Sequence, residues 1–359
     1  MASQPTVVHY DFADIRYSSF YSTGFLLNAR RYDYRFEIST KPPRLLATPA
    51  VAETWHKGIA QGHHLLYRFK SDSEDFFFCV DALDHSANYN LPLLQNVQIY
   101  FKVNYDPKRL PQDTSVTFCP DRIRPVLPFF PLRSGRRLRR LPRLFPYRAM
   151  AWDGHAILRR IIDAPRVPQL GTLRTLRDSA KCCDVFFVSA YYPGEQHASE
   201  MAFRYQLMAE LDRQGLHRSV FGFATKTALP EPFNRYAMSW LSFRDYLRAL
   251  AGARVAIYVR GLHGCISFKF GEYLCLGASI VGQTIANNRE ELGDLPHFRD
   301  QFAFDEPQAI ARQAATLLGQ SANRRVLSES NARVFDEMLS PEAATAHVLE
   351  SLGVRRRRD

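Results

Sequence analysis

Arg260-Gly261-Leu262-His263-Gly264-Cys265-Ile266-Ser267-Phe268-Lys269-Phe270-Gly271-Glu272-Tyr273-Leu274-Cys275-Leu276-Gly277 decides the reading of this chain. Before it runs Val255-Ala256-Ile257-Tyr258-Val259, a short apolar stretch of the kind that forms a buried strand. A helix is predicted to begin at Ser267, a good N-cap, and to stop at Gly277, which suits the left-handed residue beyond a helix. Ser279-Ile280-Val281-Gly282 reads as the next strand. Strand, loop, helix and strand in that order make one turn of an α/β layer. Its loop then lies at the carboxyl end of a parallel sheet, where open sheets bind ligands.

The residues of that loop suit an anion. Unpaired N–H groups in the first helical turn and the positive end of the helix dipole favour a phosphate. Gly261 and Gly264 let the backbone approach it closely, and Arg260, His263 and Lys269 add cationic or hydrogen-bonding side chains. Lys269, Glu272 and Tyr273 stand at i, i+3 and i+4, so they share one face, while Phe270 and Leu274 point to the core. A carboxylate one turn beyond a phosphate site is placed to accept bonds from a ribose diol. The same pattern also fits an ordinary amphipathic helix carrying a surface Lys–Glu pair.

Residues 267–281 resemble the donor-site signature of GT-B glycosyltransferases, in which a Ser/Lys loop leads into a helix with a Glu, then a Gly and a strand. The resemblance implies that Glu272 holds the ribose hydroxyls and that Ser267 and Lys269 lie near the diphosphate. It further implies an α/β fold of two Rossmann-like domains with parallel sheets facing a central cleft, and C-terminal helices that cross back to the N-terminal domain. One position departs from the pattern. Many retaining members carry a sugar-contacting Glu eight residues before this one, and here that residue is Gly264. Retention or inversion is therefore not assigned.

Working outward, Asp184-Val185-Phe186-Phe187-Val188-Ser189 is a buried strand, and a helix over 198–213 is closed by Gly215. Further strands are expected at 220–223 and 255–259, a short helix at 243–250, and helices at 307–318, 322–339 and 341–352. In the first half, strands are expected at 6–10, 35–38, 75–80 and 97–101, with helices near 50–62, 89–95 and 149–162. The domain reading is 1–150 for an acceptor-binding domain, 151–180 for a linker, 181–335 for the nucleotide-sugar domain, and 336–359 for a last helix and basic tail.

Other candidates are less specific. Ser189, at the end of the 184–189 strand, is a further donor-site candidate, and Tyr191 and Tyr192 after it can touch a base or phosphate, or form a packed aromatic turn. Asp14, in the turn after the first strand, is the choice for the base that takes the acceptor proton; Asp11, Asp81, Asp84 and His85 are its alternatives, and each can equally be a turn-capping residue. Asp81 and Asp84 also resemble the metal edge of a GT-A enzyme, but their spacing is D-x-x-D and no further ligands accompany them. His63-His64 reads as a solvated loop, without a third ligand at metal-site spacing. No metal site and no obligatory cofactor are expected beyond the nucleotide-sugar co-substrate.

The 359 residues are enough for two cores, and the composition, with 46% hydrophobic and 23% charged residues, is that of a globular protein. No run is apolar enough to span a bilayer and no secretory leader is visible, so a cytoplasmic protein is expected. Cys79, Cys119, Cys182, Cys183, Cys265 and Cys275 lack C-x-x-C spacing and read as reduced structural thiols. A net charge of +11 calls for an anionic partner. Arginines alternating with apolar residues over 133–148 suit the inner face of a membrane, peripherally bound, where a glycan or lipid-linked acceptor would be met, and equally suit a solvated loop. The reading is thus a metal-independent glycosyltransferase in which Arg260 and Lys269 neutralise the leaving diphosphate. Its rivals are a basic nucleic-acid-binding protein, for which no binding motif is present, a nucleotide-sugar epimerase of the same architecture, and a degenerate transferase without activity.

Overall fold

The computed structural model describes residues 4–10, 15–39, 43–47, 63–110, 119–133, 167–216, 218–288 and 302–357. The chain forms two compact units, Met1–Gly171 with Met338–Asp359, and Thr172–Glu337. Each is an α/β unit around one six-stranded sheet. The expected helices near 50–62 and 149–162, together with Asp11 and Asp14, lie outside the described residues.

The first unit contains β1 (Thr6–Tyr10), α1 (Ile15–Asn28), β2 (Arg35–Ser39), β3 (His64–Lys70), β4 (Asp75–Asp81), α2 (Leu91–Asn96), β5 (Ile99–Lys102) and β6 (Ile123–Pro125). Its sheet order is β2-β1-β3-β4-β5-β6. The sheet is mainly parallel, as expected, with one exception: β3 runs antiparallel to both β1 and β4, while the other pairs are parallel. The cause is local. Ser71-Asp72-Ser73-Glu74 closes a tight turn in which Ser71 Oγ accepts from the Ser73 and Glu74 backbone N–H groups, folding β3 and β4 into a hairpin. His63 and His64 are accordingly not a solvated loop. His64 opens β3 and is nearly buried, 3.9 Å from Asp81, and His63 Nε2 lies 2.9 Å from Tyr17 Oη.

The second unit contains α3 (Leu170–Thr175), which begins at its boundary, then β7 (Cys183–Ser189), α4 (Ala198–Arg213), β8 (Val220–Thr225), β9 (Ala237–Ser239), α5 (Phe243–Ala251), β10 (Ala253–Tyr258), α6 (Phe268–Cys275), β11 (Ile280–Gln283), β12 (Ala303–Phe304), α7 (Pro307–Gly319) and α8 (Ser321–Val334). All of its strand pairs are parallel, in the order β12-β11-β10-β7-β8-β9. Counted within the unit, this is the doubly wound order 3-2-1-4-5-6 of a Rossmann-type sheet. Val185, Phe187, Val255, Ile257 and Val281 from its strands pack against Leu207, Leu211, Ile310 and Leu317 from α4 and α7.

The last helix, α9 (Pro341–Ser351), returns to the first unit and packs on α1. Asn28 Nδ2 donates to Glu342 O at 2.7 Å and to Thr345 Oγ1 at 2.8 Å. Gly24 permits this approach, since a Cβ there would run into Pro341 O and the Thr345 side chain. Of the helices expected to cross back, α9 does so, whereas α7 and α8 stay in the second unit.

Candidate functional site

In the second unit, β7 and β10 are neighbours whose following crossovers lead away in opposite directions along the sheet. Right-handed crossovers then put α4 and α6 on opposite faces, so a crevice opens at the carboxyl ends of these two strands. The loop Val259–Ser267 that drew attention in the sequence is one wall of it, and residues 190–197 are the other.

The β10–α6 loop is closed on itself. Gly261 N donates to Cys265 O at 2.8 Å, and Cys265 N to Leu262 O at 3.2 Å. His263 (φ 59°) and Gly264 (φ 73°) both take left-handed conformations, and Cys265 and Ile266 anchor the loop in the core. Ser267 has N-cap backbone angles as predicted, yet its Oγ is buried without a hydrogen-bond partner. Gly277 takes the left-handed conformation expected of it (φ 59°).

The helix itself differs from expectation. Residues 270–275 are all buried, so α6 has no solvated Lys–Glu–Tyr face. Tyr273 is in the core, its hydroxyl 3.3 Å from Ile257 O. Glu272 is 4% exposed and Oε2 closes no hydrogen bond; the neighbouring Tyr246 hydroxyl on α5 is likewise unpartnered. Burial pushes the Glu272 carboxyl up to about 7, against the opposing influence of Tyr246 and Lys269. The helix is buried on this side because α5 and α8 cover it. An interior acid does not by itself support a ribose-gripping role.

Lys269 points toward the crevice wall formed by β7 and donates from Nζ to Val188 O at 2.6 Å. Arg204, in the second turn of α4, is 5% exposed and spans the crevice, donating to Ala190 O and to Arg260 O, each at 3.2 Å. Its guanidinium also lies 5.6 Å from the centre of the Tyr192 ring. Among the described residues neither cation forms an ion pair. Burial, then repulsion from Arg204, lowers the Lys269 ammonium to about 7, with Glu272 acting in the other sense. Burial also holds the Arg204 guanidinium below its ordinary range. A buried guanidinium and a half-buried ammonium, bonded only to carbonyl oxygens, are costly unless an anion joins them.

A pocket of about 310 Å³ opens beside them, lined by Glu200, Arg204, Arg260, Gly264 and Gln283 among others. Of the residues singled out in the sequence, Arg260, Gly261 and Gly264 line this pocket. Arg260 lies 3.4 Å from Asp305, and its backbone N–H bonds Gln283 Oε1 at 3.1 Å. His263 stands outside at 6.1 Å from the His197 ring. Ser189 is buried and donates to Ala190 O. Tyr191 turns inward against Phe223 and Phe233, the packed aromatic turn rather than a ligand contact.

Arg204, Glu200 and Gln283 escaped the sequence reading. The signal for Arg204 was present: it occupies the apolar stripe Met201, Arg204, Leu207, Met208, Leu211 of α4, where a cation without purpose is rare. Glu200 opens that helix; burial would raise its carboxyl, but N–H groups of its own backbone and of His263, with the Ser199 hydroxyl, bring it below the usual range. In the first unit, Asp81 is taken up by Lys102 Nζ (2.7 Å), the Tyr100 hydroxyl (2.6 Å) and Leu83 N (2.9 Å), so it is neither a solvent-facing base nor a metal edge. Asp84 is exposed and His85 half-buried. Among the described residues no group of three or more His, Cys, Asp or Glu could hold a metal. Arg133, the one described residue of the arginine-rich stretch, is buried and donates to Val167 O at 2.8 Å.

No protein-family profile and no curated sequence matches the chain. Its backbone is similar to several solved structures. One is S. aureus TarM in complex with UDP, at 8% identity and a TM-score of 0.41 over 72% of this chain; the chain spans 52% of that structure's length. WaaG, a glycosyltransferase involved in lipopolysaccharide biosynthesis, aligns at 10% identity and a TM-score of 0.42 over 96% of this chain and 97% of its own. The T4 phage BGT with UDP-glucose aligns at 12% identity and a TM-score of 0.40 over 98% of this chain and 97% of its own. Likenesses this distant assign neither family nor substrate. The sheet order and the site geometry define the class more firmly: an α/β protein whose second unit is Rossmann-type, with an anion-ready crevice at its switch point.

Proposed function

We propose that the protein is a glycosyltransferase of the GT-B type, which transfers a sugar from a nucleotide-diphosphate donor to a hydroxyl of a glycan or glycolipid precursor. The observation that carries this reading is the pair of cations at the crevice between β7 and β10, the buried Arg204 and the half-buried Lys269, each hydrogen-bonded only to carbonyl oxygens. A diphosphate supplies the missing negative charge, and the same cations, with Arg260, stabilise it as it leaves. That would let the residues present do what a metal does in other transferases. The pocket beside them, with a carboxylate and an amide in its wall, has the chemistry to hold sugar hydroxyls.

Glu272, which adjoins the Tyr246 hydroxyl in the interior, remains the proposed partner of the ribose hydroxyls on the strength of the sequence resemblance alone. The first unit is left for the acceptor, and Asp14 remains the proposed base for its hydroxyl proton. The 133–148 stretch remains the proposed contact with an anionic membrane bearing such an acceptor. Among the described residues no helix is long and apolar enough to cross one.

The test is a thermal-shift screen of UDP-, GDP-, CMP- and dTDP-sugars. A ligand at a hundredfold excess over its dissociation constant stabilises by about 2.7 kcal/mol. If no nucleotide raises the melting temperature, or if Arg204→Met and Lys269→Met leave the best nucleotide's affinity unchanged, the reading is wrong.

A further inference from the structure

Five arginines of the first unit stand without an acidic partner among the described residues. Arg30 and Arg31 leave the end of α1, Arg355, Arg356 and Arg357 follow α9, and all five are exposed. Among the described residues none of them makes a side-chain hydrogen bond or an ion pair. By contrast, the acids of the same segments each hold another group: Asp33 accepts from Gln4 at 3.1 Å, Glu37 from Arg35 at 2.8 Å, and Glu350 from the Tyr32 hydroxyl at 2.8 Å.

The two segments form one surface. Helices α1 and α9 pack together, Arg357 N donates to Arg31 O at 3.1 Å, and the Tyr32 phenol is within electrostatic reach of both Arg31 and Arg356. Like charges gathered in this way repel one another, and the fold gains nothing from their proximity unless an anionic surface meets them.

We infer that this surface docks the protein on an anionic phospholipid bilayer. The guanidinium fork pairs with phosphodiester oxygens. Leu27, in the last turn of α1 just before these arginines, is 40% exposed and supplies an apolar contact of the kind that interfacial segments place among their basic residues. The tyrosines of the patch, Tyr32 and Tyr34, are only 4% and 2% exposed, so the surface has no platform on which a base could stack. The inference concerns the first unit and does not depend on the donor site.

Sedimentation with phosphatidylcholine vesicles, with and without about a third phosphatidylglycerol, tests it on the full chain. The protein should partition onto the anionic vesicles alone, and less as salt rises. Replacing Arg30, Arg31, Arg355, Arg356 and Arg357 by Gln should cut that partition at least about tenfold, since each basic residue near such a surface contributes on its own. The melting temperature should stay unchanged. Undiminished binding by this variant overturns the proposal. So does loss of binding only when the arginines of 136–148 are replaced instead, or a tighter complex with duplex DNA than with anionic vesicles at equal salt.

Discussion

Lys269 Nζ, on α6, donates at 2.6 Å to Val188 O, the penultimate carbonyl of β7. One lysine thus ties the helix that follows β10 to the end of β7, at the point where the sheet reverses its winding. The contact is a placeholder in energetic terms, because a neutral carbonyl satisfies a donor but leaves the ammonium charge uncompensated. Since the Lys269 pKa falls from 10.5 to about 7 in the folded protein, the unfolded chain binds this proton more tightly. Folding is therefore penalised below about 7 and recovers as pH rises from about 7 to 10.5. Lys269→Met should flatten that rise in calorimetric scans. If the variant and the parent show the same pH slope over that interval, the lysine is charged throughout and the site is more polar than described.

Arg204 bonds two carbonyls on opposite sides of the crevice, which requires its planar fork. Arg204→Lys should therefore fail to restore what Arg204→Met removes. Both variants should weaken binding of a nucleoside diphosphate by tenfold or more, read by isothermal calorimetry. Full affinity in the lysine variant would show that only charge matters at this position.

Glu200 lines the pocket, close to the cations that would hold phosphate. Its own charge opposes a bare diphosphate but suits a sugar's hydroxyls. Glu200→Gln should weaken a nucleotide-sugar by tenfold or more while leaving the free nucleoside diphosphate unchanged or tighter, a difference of about 1.5–3 kcal/mol for one hydrogen bond to a charged group. Equal losses for both ligands would place Glu200 away from the sugar.

In the first unit, the Asp81–Lys102 pair is completely buried. Breaking such a pair from one side strands a charge and costs about 3–5 kcal/mol, whereas replacing both partners by apolar residues costs much less. Asp81→Asn and Lys102→Met alone should each lower the urea midpoint markedly, and the double variant Asp81→Leu/Lys102→Met should recover part of it. The Asp81 carboxyl, held below the usual range by Lys102 and His64 against the opposing pull of burial, contributes stability above its unfolded pKa that is lost as pH falls.

Gly24 tests the packing of α1 on α9. Gly24→Ala gains helix propensity worth up to about 1 kcal/mol, but its Cβ meets Pro341 O and Thr345. Overpacking should win by about 1–3 kcal/mol and lower the melting temperature. A stabilised variant would mean that α9 is free to shift.

The second unit was largely legible before any coordinates. Its strands are continuous apolar runs, its helices carry caps at Ser242 and a left-handed stop at Gly277, and both signals act over a few residues. Helix α1 is not legible in the sequence, because Ser18, Ser19, Ser22 and Thr23 are buried in it almost as fully as Phe20 and Tyr21, which erases the contrast that periodicity needs. Strand β3 is hidden in the sequence because the histidines at its start look polar; their surroundings come from Asp81, Tyr17 and the hairpin partner.

At the site, the sequence by itself determined the loop, the helix start and the strand on either side, since each depends on neighbours along the chain. It also set the excess of positive charge and the positions of Lys269 and Glu272. What tertiary structure decided is where those side chains go. Whether a lysine meets solvent or a carbonyl 81 residues away, and whether a glutamate reaches a ligand or lies under a tyrosine from another helix, is fixed by how the layers pack. Burial in particular is a sum over distant residues. That is why Arg204, unremarkable within its helix, emerges as the cation at the crevice only once β7 and β10 lie side by side.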